Sequence, residues 1–194
     1  MKRLLIPLIS LSLLGCKDDL NAALDKFIPP APPVQLPAET QRGANTFGCL
    51  LNGEVWEGAS HGSLGHIVPA VPNVYYSLGH FQLSAAGRTA LKDSFVDFDF
   101  NIPHLVGPGV YYLITQPGQG NTPYAQISSV KANYSTNSTH TGTLIITALD
   151  TVSARKFVAG RFEFTAQPTA GAPAGYPTDL TVTQGRFDVE LNRP

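Results

Sequence analysis

Gly58-Ala59-Ser60-His61-Gly62 fits G-x-S-x-G, the pattern of a serine-hydrolase nucleophile elbow. Asp97, Asp99, His104 and His140 come after it in the acid-then-base order that such a triad takes. The elbow works because a strand turns sharply into a helix beneath the serine. The next residues in this chain are Ser63-Leu64-Gly65-His66-Ile67-Val68-Pro69, too rich in glycine and proline to start that helix. A turn of small residues accounts for the string, and no catalytic residue is assigned. His61 and His66 lie five apart with His80 further on, and three imidazoles meeting at one point would suit zinc or copper. Metal motifs keep tight, regular intervals such as H-E-x-x-H, and this spacing does not. No metal and no cofactor is therefore expected, with His61, His66 and His80 the candidate ligands if one binds. Asp97 and Asp99, two apart on one strand face, are a pair that can hold Ca²⁺ or exchange protons, but a solvated outer face explains them without chemistry.

Aromatic residues give the better binding signal. Trp56, Tyr75, Tyr76, Tyr111 and Tyr112 are the candidate ligand contacts, within a wider set that includes Phe81, Tyr124 and Tyr134. Adjacent tyrosines in a strand point to opposite faces, so one of Tyr75-Tyr76 and one of Tyr111-Tyr112 must leave the core side. An outward tyrosine can stack on a sugar or fill a partner's pocket, or it can serve plain cross-strand packing.

The chain has two cysteines, Cys16 and Cys49. If Cys16 is modified, no intramolecular disulfide and no thiolate cluster can form. Cys49, in the apolar run Phe47 to Leu51, reads as a buried small hydrophobe rather than a nucleophile, since no neighbouring basic residue would lower its pKa. The formal net charge is −1 and becomes more negative if Lys2 and Arg3 are removed with a leader. Past that leader, the basic residues are scattered with no cluster longer than Arg155-Lys156, which argues against nucleic acid as a partner.

The N-terminus has the anatomy of an export signal: Met1-Lys2-Arg3, an apolar run from Leu4 to Leu14, then Gly15 before Cys16. At about 1.5 Å per residue that run is roughly half of a bilayer's hydrocarbon thickness, too short for a permanent span. Leu13-Leu14-Gly15-Cys16 resembles the bacterial lipobox, which implies cleavage before Cys16 and lipid on its thiol. Several acyl chains hold a protein on a membrane stably without crossing it. Cys16-Lys17-Asp18-Asp19 is similar to the lysine-plus-two-acids signal that sends Bacteroidota lipoproteins to the outer face of the outer membrane. The expected address is thus the outer membrane, with the cell surface preferred over the periplasmic face. Lys17 to about Arg42 carries a short helical pattern (Leu20, Ala23, Leu24, Phe27) and then Pro29-Pro30-Ala31-Pro32-Pro33 and Pro37. Consecutive prolines favour extended polyproline II, so this stretch reads as a tether.

After Gly43 the pattern is strand and turn. Asn52-Gly53 suits a type I′ hairpin between Thr46 to Leu51 and Val55-Trp56. Further strands are expected at 80–85, 92–102, 110–115, 125–134, 141–149, 155–165 and 180–191. Their period is two: Val96, Phe98 and Phe100 alternate with Phe95, Asp97 and Asp99. Gly58 to Asn73 reads as the longest irregular stretch and the favoured functional loop. The expected architecture is all-β, a single antiparallel β-sandwich or meander barrel of about nine strands. The expected divisions are signal peptide 1–15, lipidated Cys and Pro-rich tether 16–43, and all-β domain 44–194.

Gly43-Ala44-Asn45-Thr46-Phe47-Gly48-Cys49-Leu50-Leu51-Asn52-Gly53-Glu54-Val55-Trp56 resembles the opening of a domain-of-unknown-function family of Bacteroidota lipoproteins. Gly142 to Thr147, Val158 to Phe164 and Gln184 to Val189 are similar to that family's closing three strands. Glu57 to Gly79 departs from it. Asp150-Thr151-Val152 also resembles the short O-glycosylation site of exported Bacteroidota proteins. The resemblance implies fold and address and carries no site residues. The expected function is a lipid-anchored cell-envelope binding or interaction module for a glycan, a peptide or a small apolar ligand. The alternative is a hydrolase or metal-dependent enzyme built on the 58–73 loop.

Overall fold

The computed structural model describes residues 33–61, 67–89, 95–115, 117–118, 121–129, 132–172 and 174–191. The expected leader, Cys16, the helical pattern at 20–27 and His66 lie outside them. Among the described residues no helix is long and apolar enough to cross a membrane.

Strands β1 (Thr46–Leu51) and β2 (Glu54–His61) form the expected hairpin, with Asn52 at φ 50° and Gly53 at φ 82° as a type I′ turn requires. β3 (Ile67–Pro69) pairs back on the end of β2, and β4 (Asn73–Ser77) makes a second hairpin with β5 (His80–Thr89). β6 (Phe95–Ile102), β7 (Gly109–Leu113), β8 (Tyr124–Ser128), β9 (Asn133–Ser135), β10 (Gly142–Asp150), β11 (Phe157–Pro168) and β12 (Leu180–Glu190) complete the chain.

Two expectations need correction. The stretch from Gly58 to Asn73, read as irregular, holds the end of β2 and all of β3. The single strand expected at 125–134 is β8 and β9, reversed between them. There Ser129 N–H donates to the Ala132 carbonyl at 3.0 Å and the Ser129 side chain bonds Ala132 as well, at the point where the apolar alternation changes phase: Ala125 and Ile127 on one phase, Ala132 and Tyr134 on the other. With β4 also unforeseen, the described residues hold twelve strands rather than about nine.

Eight of them close into an antiparallel barrel, in the order β1-β2-β5-β6-β8-β9-β11-β12 and back to β1. Closure leaves the ring itself without a free edge, while among the described residues β3, β4 and β7 each pair on one side only. The narrowest seam is β9 to β11, paired only at Ser135 with Gln167 and Tyr134 with Pro168. Outside the ring β10 lies on β11 with β7 beyond it, while β4 and β2 share one edge of β5 at its two ends.

Alternation sends every second residue inward, and what it delivers is aromatic. Phe47 stacks on Phe162 at 4.9 Å between centroids, Phe100 meets Phe162 edge-on at 4.9 Å, and Trp56 meets Phe98 at 4.8 Å. These rings are 0 to 3% exposed, so the barrel is filled by side chains rather than hollow. The indole needs room: a Cβ at Gly87 would collide with the Trp56 ring and the Glu57 carbonyl, which fixes glycine there.

The last part of the expected tether is seated on the barrel. Asp188 points outward from β12 yet is 1% exposed, because residues 40 to 44 fold over it. Its carboxylate accepts hydrogen bonds from the Thr40 hydroxyl (2.6 Å) and from the N–H groups of Arg42 (3.0 Å), Gly43 (2.7 Å) and Ala44 (3.1 Å). Glu39 takes a charge-assisted bond from Arg161 Nε at 3.0 Å, and this strap then runs directly into β1.

Candidate binding groove

The register of four neighbouring strands lines up a polar outer face. Tyr75 on β4 is opposite Gln82 on β5, Gln82 is opposite Asn101 on β6, and Asn101 is opposite Tyr124 on β8. One pleat away the same strands align Asn73, Ser84, Asp99 and Gln126. The inward partners between these rows, Leu83, Phe100 and Ala125, are buried, so the barrel wall is a rigid floor. Together the two rows line a groove of about 920 Å³ with Val71 and Pro72 on its rim. That volume lies at the upper end of the usual range for ligand sites.

Local hydrogen bonds hold the floor. Asn101 Oδ1 accepts from His80 Nε2 at 2.7 Å and from Gln82 Nε2 at 3.2 Å, which leaves its amide nitrogen as the group it can offer. The Ser84 hydroxyl donates to Asp99 Oδ1, and Gln126 Nε2 donates to the Ser128 hydroxyl at 3.0 Å. Tyr75 is 53% exposed at the end of its row and meets the His80 ring edge-on at 6.3 Å. Burial pushes the Tyr124 hydroxyl above the ordinary tyrosine range and the nearby Asp99 charge adds to it. Asp97 is raised in the same way, by burial first and by Asp99 second. No Lys or Arg lines the groove among the described residues.

The aromatic candidates separate cleanly. Trp56 is 0% exposed, with its indole N–H donating to the Val96 carbonyl at 3.1 Å, and belongs to the core. The tyrosine pairs split as alternation requires. Tyr76 packs against the core with its hydroxyl donating to the Leu105 carbonyl (3.2 Å), and Tyr111 packs likewise with its hydroxyl donating to the Gly107 carbonyl (2.8 Å). Tyr75 and Tyr112 face outward, Tyr112 at 63% exposure. Only Tyr75 of the five lines the groove; Tyr112 shares a face of β7 and β10 with Val110 and Ile145.

The triad and metal candidates are not gathered. Ser60 sits in the β2–β3 ladder opposite Val68, which is not the strand-to-helix turn of an elbow. His104 Nε2 bonds Asn121 at 2.7 Å, and His140 Nε2 bonds Asp179 at 2.8 Å. His80 is engaged by Asn101, the His61 side chain and His66 are outside the described residues, and among those described no group of three His, Cys, Asp or Glu side chains is placed to hold a metal ion. Cys49 is fully buried and its thiol is pushed far up by that burial. Asp150-Thr151-Val152 caps the exposed turn between β10 and β11. Asp150 accepts from the N–H groups of Val152 and Ser153 at 2.9 Å each, which holds its carboxyl below the usual range.

Five lining residues, Gln82, Ser84, Asn101, Tyr124 and Gln126, carry no motif. Alternation alone marks them as outward, and their alignment depends on a register between strands that the sequence does not display. Compared with known proteins, the chain matches no family model, no curated protein and no solved structure.

Proposed function

We propose that this chain is a binding module of the cell envelope, anchored by lipid on Cys16 and displayed on the cell surface, with the groove across β4, β5, β6 and β8 as its ligand face. The observation that carries the reading is the pair of aligned rows on a rigid floor. Two tyrosines, four amides and the carboxylates of Asp99 and Glu190 line an open groove there, a makeup suited to recognition. The leader, the lipobox resemblance and the acidic residues after Cys16 support the address, and the likeness to Bacteroidota lipoproteins supports the same setting.

The test is NMR of the isotopically labelled full chain against three separate pools: linear oligosaccharides, short peptides and long-chain fatty acids. Binding is expected to shift the side-chain amide signals of Gln82, Asn101 and Gln126. If no pool moves them, or if the shifts gather elsewhere on the barrel, this face is not the binding site.

A further inference from the structure

We infer that the ligand of the groove is a neutral oligosaccharide lying across the strands, along the row from Tyr75 through Gln82 and Asn101 to Tyr124. This rests on the reading of the groove as the binding face. Three interstrand steps at about 4.8 Å set the two tyrosines about 14 Å apart, longer than one sugar ring, so an extended chain of sugars can reach both. Sugar rings carry a C–H face that stacks on an aromatic ring and hydroxyls that both donate and accept. The side chains between the tyrosines match those hydroxyls. Gln82 and Gln126 donate and accept, Asn101 donates through its amide nitrogen, the Ser84 hydroxyl accepts because its proton is on Asp99, and the Asp99 carboxylate accepts.

Charge narrows the class. With Asp99 in the floor and no lining Lys or Arg among the described residues, uronic, sulfated and phosphorylated chains meet repulsion with nothing to offset it. A peptide adding as a strand needs unpaired backbone: the floor of β5, β6 and β8 is spent in its ladders, and among the described residues this face leaves only the outer edge of β4 unpaired, where a strand would run along β4 and not across the row. An acyl chain needs a continuous apolar lining, whereas the outward apolar groups here are the Val71 and Pro72 rim and the two tyrosine rings, separated by amides, a hydroxyl and carboxylates.

The experiment is a titration of the full chain with cellohexaose, maltohexaose, xylohexaose and mannohexaose, and with hexagalacturonate and a heparin hexasaccharide as anionic counterparts, followed by NMR and calorimetry. At least one neutral hexasaccharide is expected to bind with shifts at Gln82, Asn101 and Gln126. Tyr75→Ala and Tyr124→Ala should each weaken it tenfold or more, Tyr75→Phe should retain it because stacking survives, and Asp99→Asn should weaken it several-fold. Tyr75 is half exposed, so its truncation leaves the fold intact, and unchanged melting curves verify this. Binding only by the anionic sugars, or neutral binding that survives both alanine variants, overturns the inference. Should the peptide or fatty-acid pool shift the groove amides while every neutral sugar fails, the groove stands as a binding face and the glycan assignment falls. Silence from all ligands removes both.

Discussion

Asp188 is a buried carboxylate held by one hydroxyl and three backbone N–H groups. Burial alone would raise its pKa, but the bonds from Thr40, Arg42, Ala44 and Gly43 outweigh that, and the carboxyl titrates below the usual aspartate range. A depressed folded pKa gives stability that is present above the unfolded value, about 3.9, and is lost as pH falls through the folded one. Denaturant melts should therefore show wild type losing stability below about pH 4, with Asp188→Asn flatter over that window. Asp188→Ala, which strands the buried N–H of Gly43 and the part-buried N–H groups of Arg42 and Ala44, should cost about 1–3 kcal/mol at neutral pH by the same melts. Nothing in the sequence singles this residue out, because Asp188 looks like any outward charge on an alternating strand. Only the return of residues 40 to 44 over it makes it a clamp.

Hairpins show which elements can be read in advance. Asn52-Gly53 announces its type I′ turn by composition, and the structure has that turn. Leu78-Gly79 makes the same kind of turn, at φ 51° and 82°, with a leucine that is fully exposed and unsuited to positive φ. Without the expected turn residues β4 could not be seen, and with it went one wall of the groove. Leu78→Asn restores the favoured dipeptide, and chemical denaturation should find the barrel more stable by about 0.5–1 kcal/mol. Strand identity was legible from period-two alternation at Phe98, Phe100, Phe162, Phe164 and Phe187, all of which are buried. Register was not, since each row of the groove depends on three successive pairings, one of them between β6 and β8, which are not consecutive in the chain. Of the candidate site, Tyr75 was legible as one of a pair that must split. Its row partners Gln82 and Asn101 are ordinary outward amides until the strands are laid side by side.

At the scale of the molecule, an all-β domain of sandwich or barrel type was legible, and closure decides between the two. The short β9 seam, Ser135 and Tyr134 against Gln167 and Pro168, is what turns a curved sheet into a ring. The proposed anchor makes a separate prediction. In a lipoprotein-producing host, wild type should incorporate radiolabelled palmitate and fractionate with membranes, whereas Cys16→Ser should lose the label and become soluble. Retained label in the variant would dismiss the anchor. Residues 40 to 44 also run without interruption into β1, which lies between two antiparallel neighbours, β12 and β2. A mechanical pull on the N-terminus must tear Glu39 from Arg161 and the strap from Asp188 before it drags β1 lengthwise, loading its ladders in shear rather than peeling them one bond at a time. The carboxylate would then act as a fuse, yielding slack under tension while the barrel behind it stays shut.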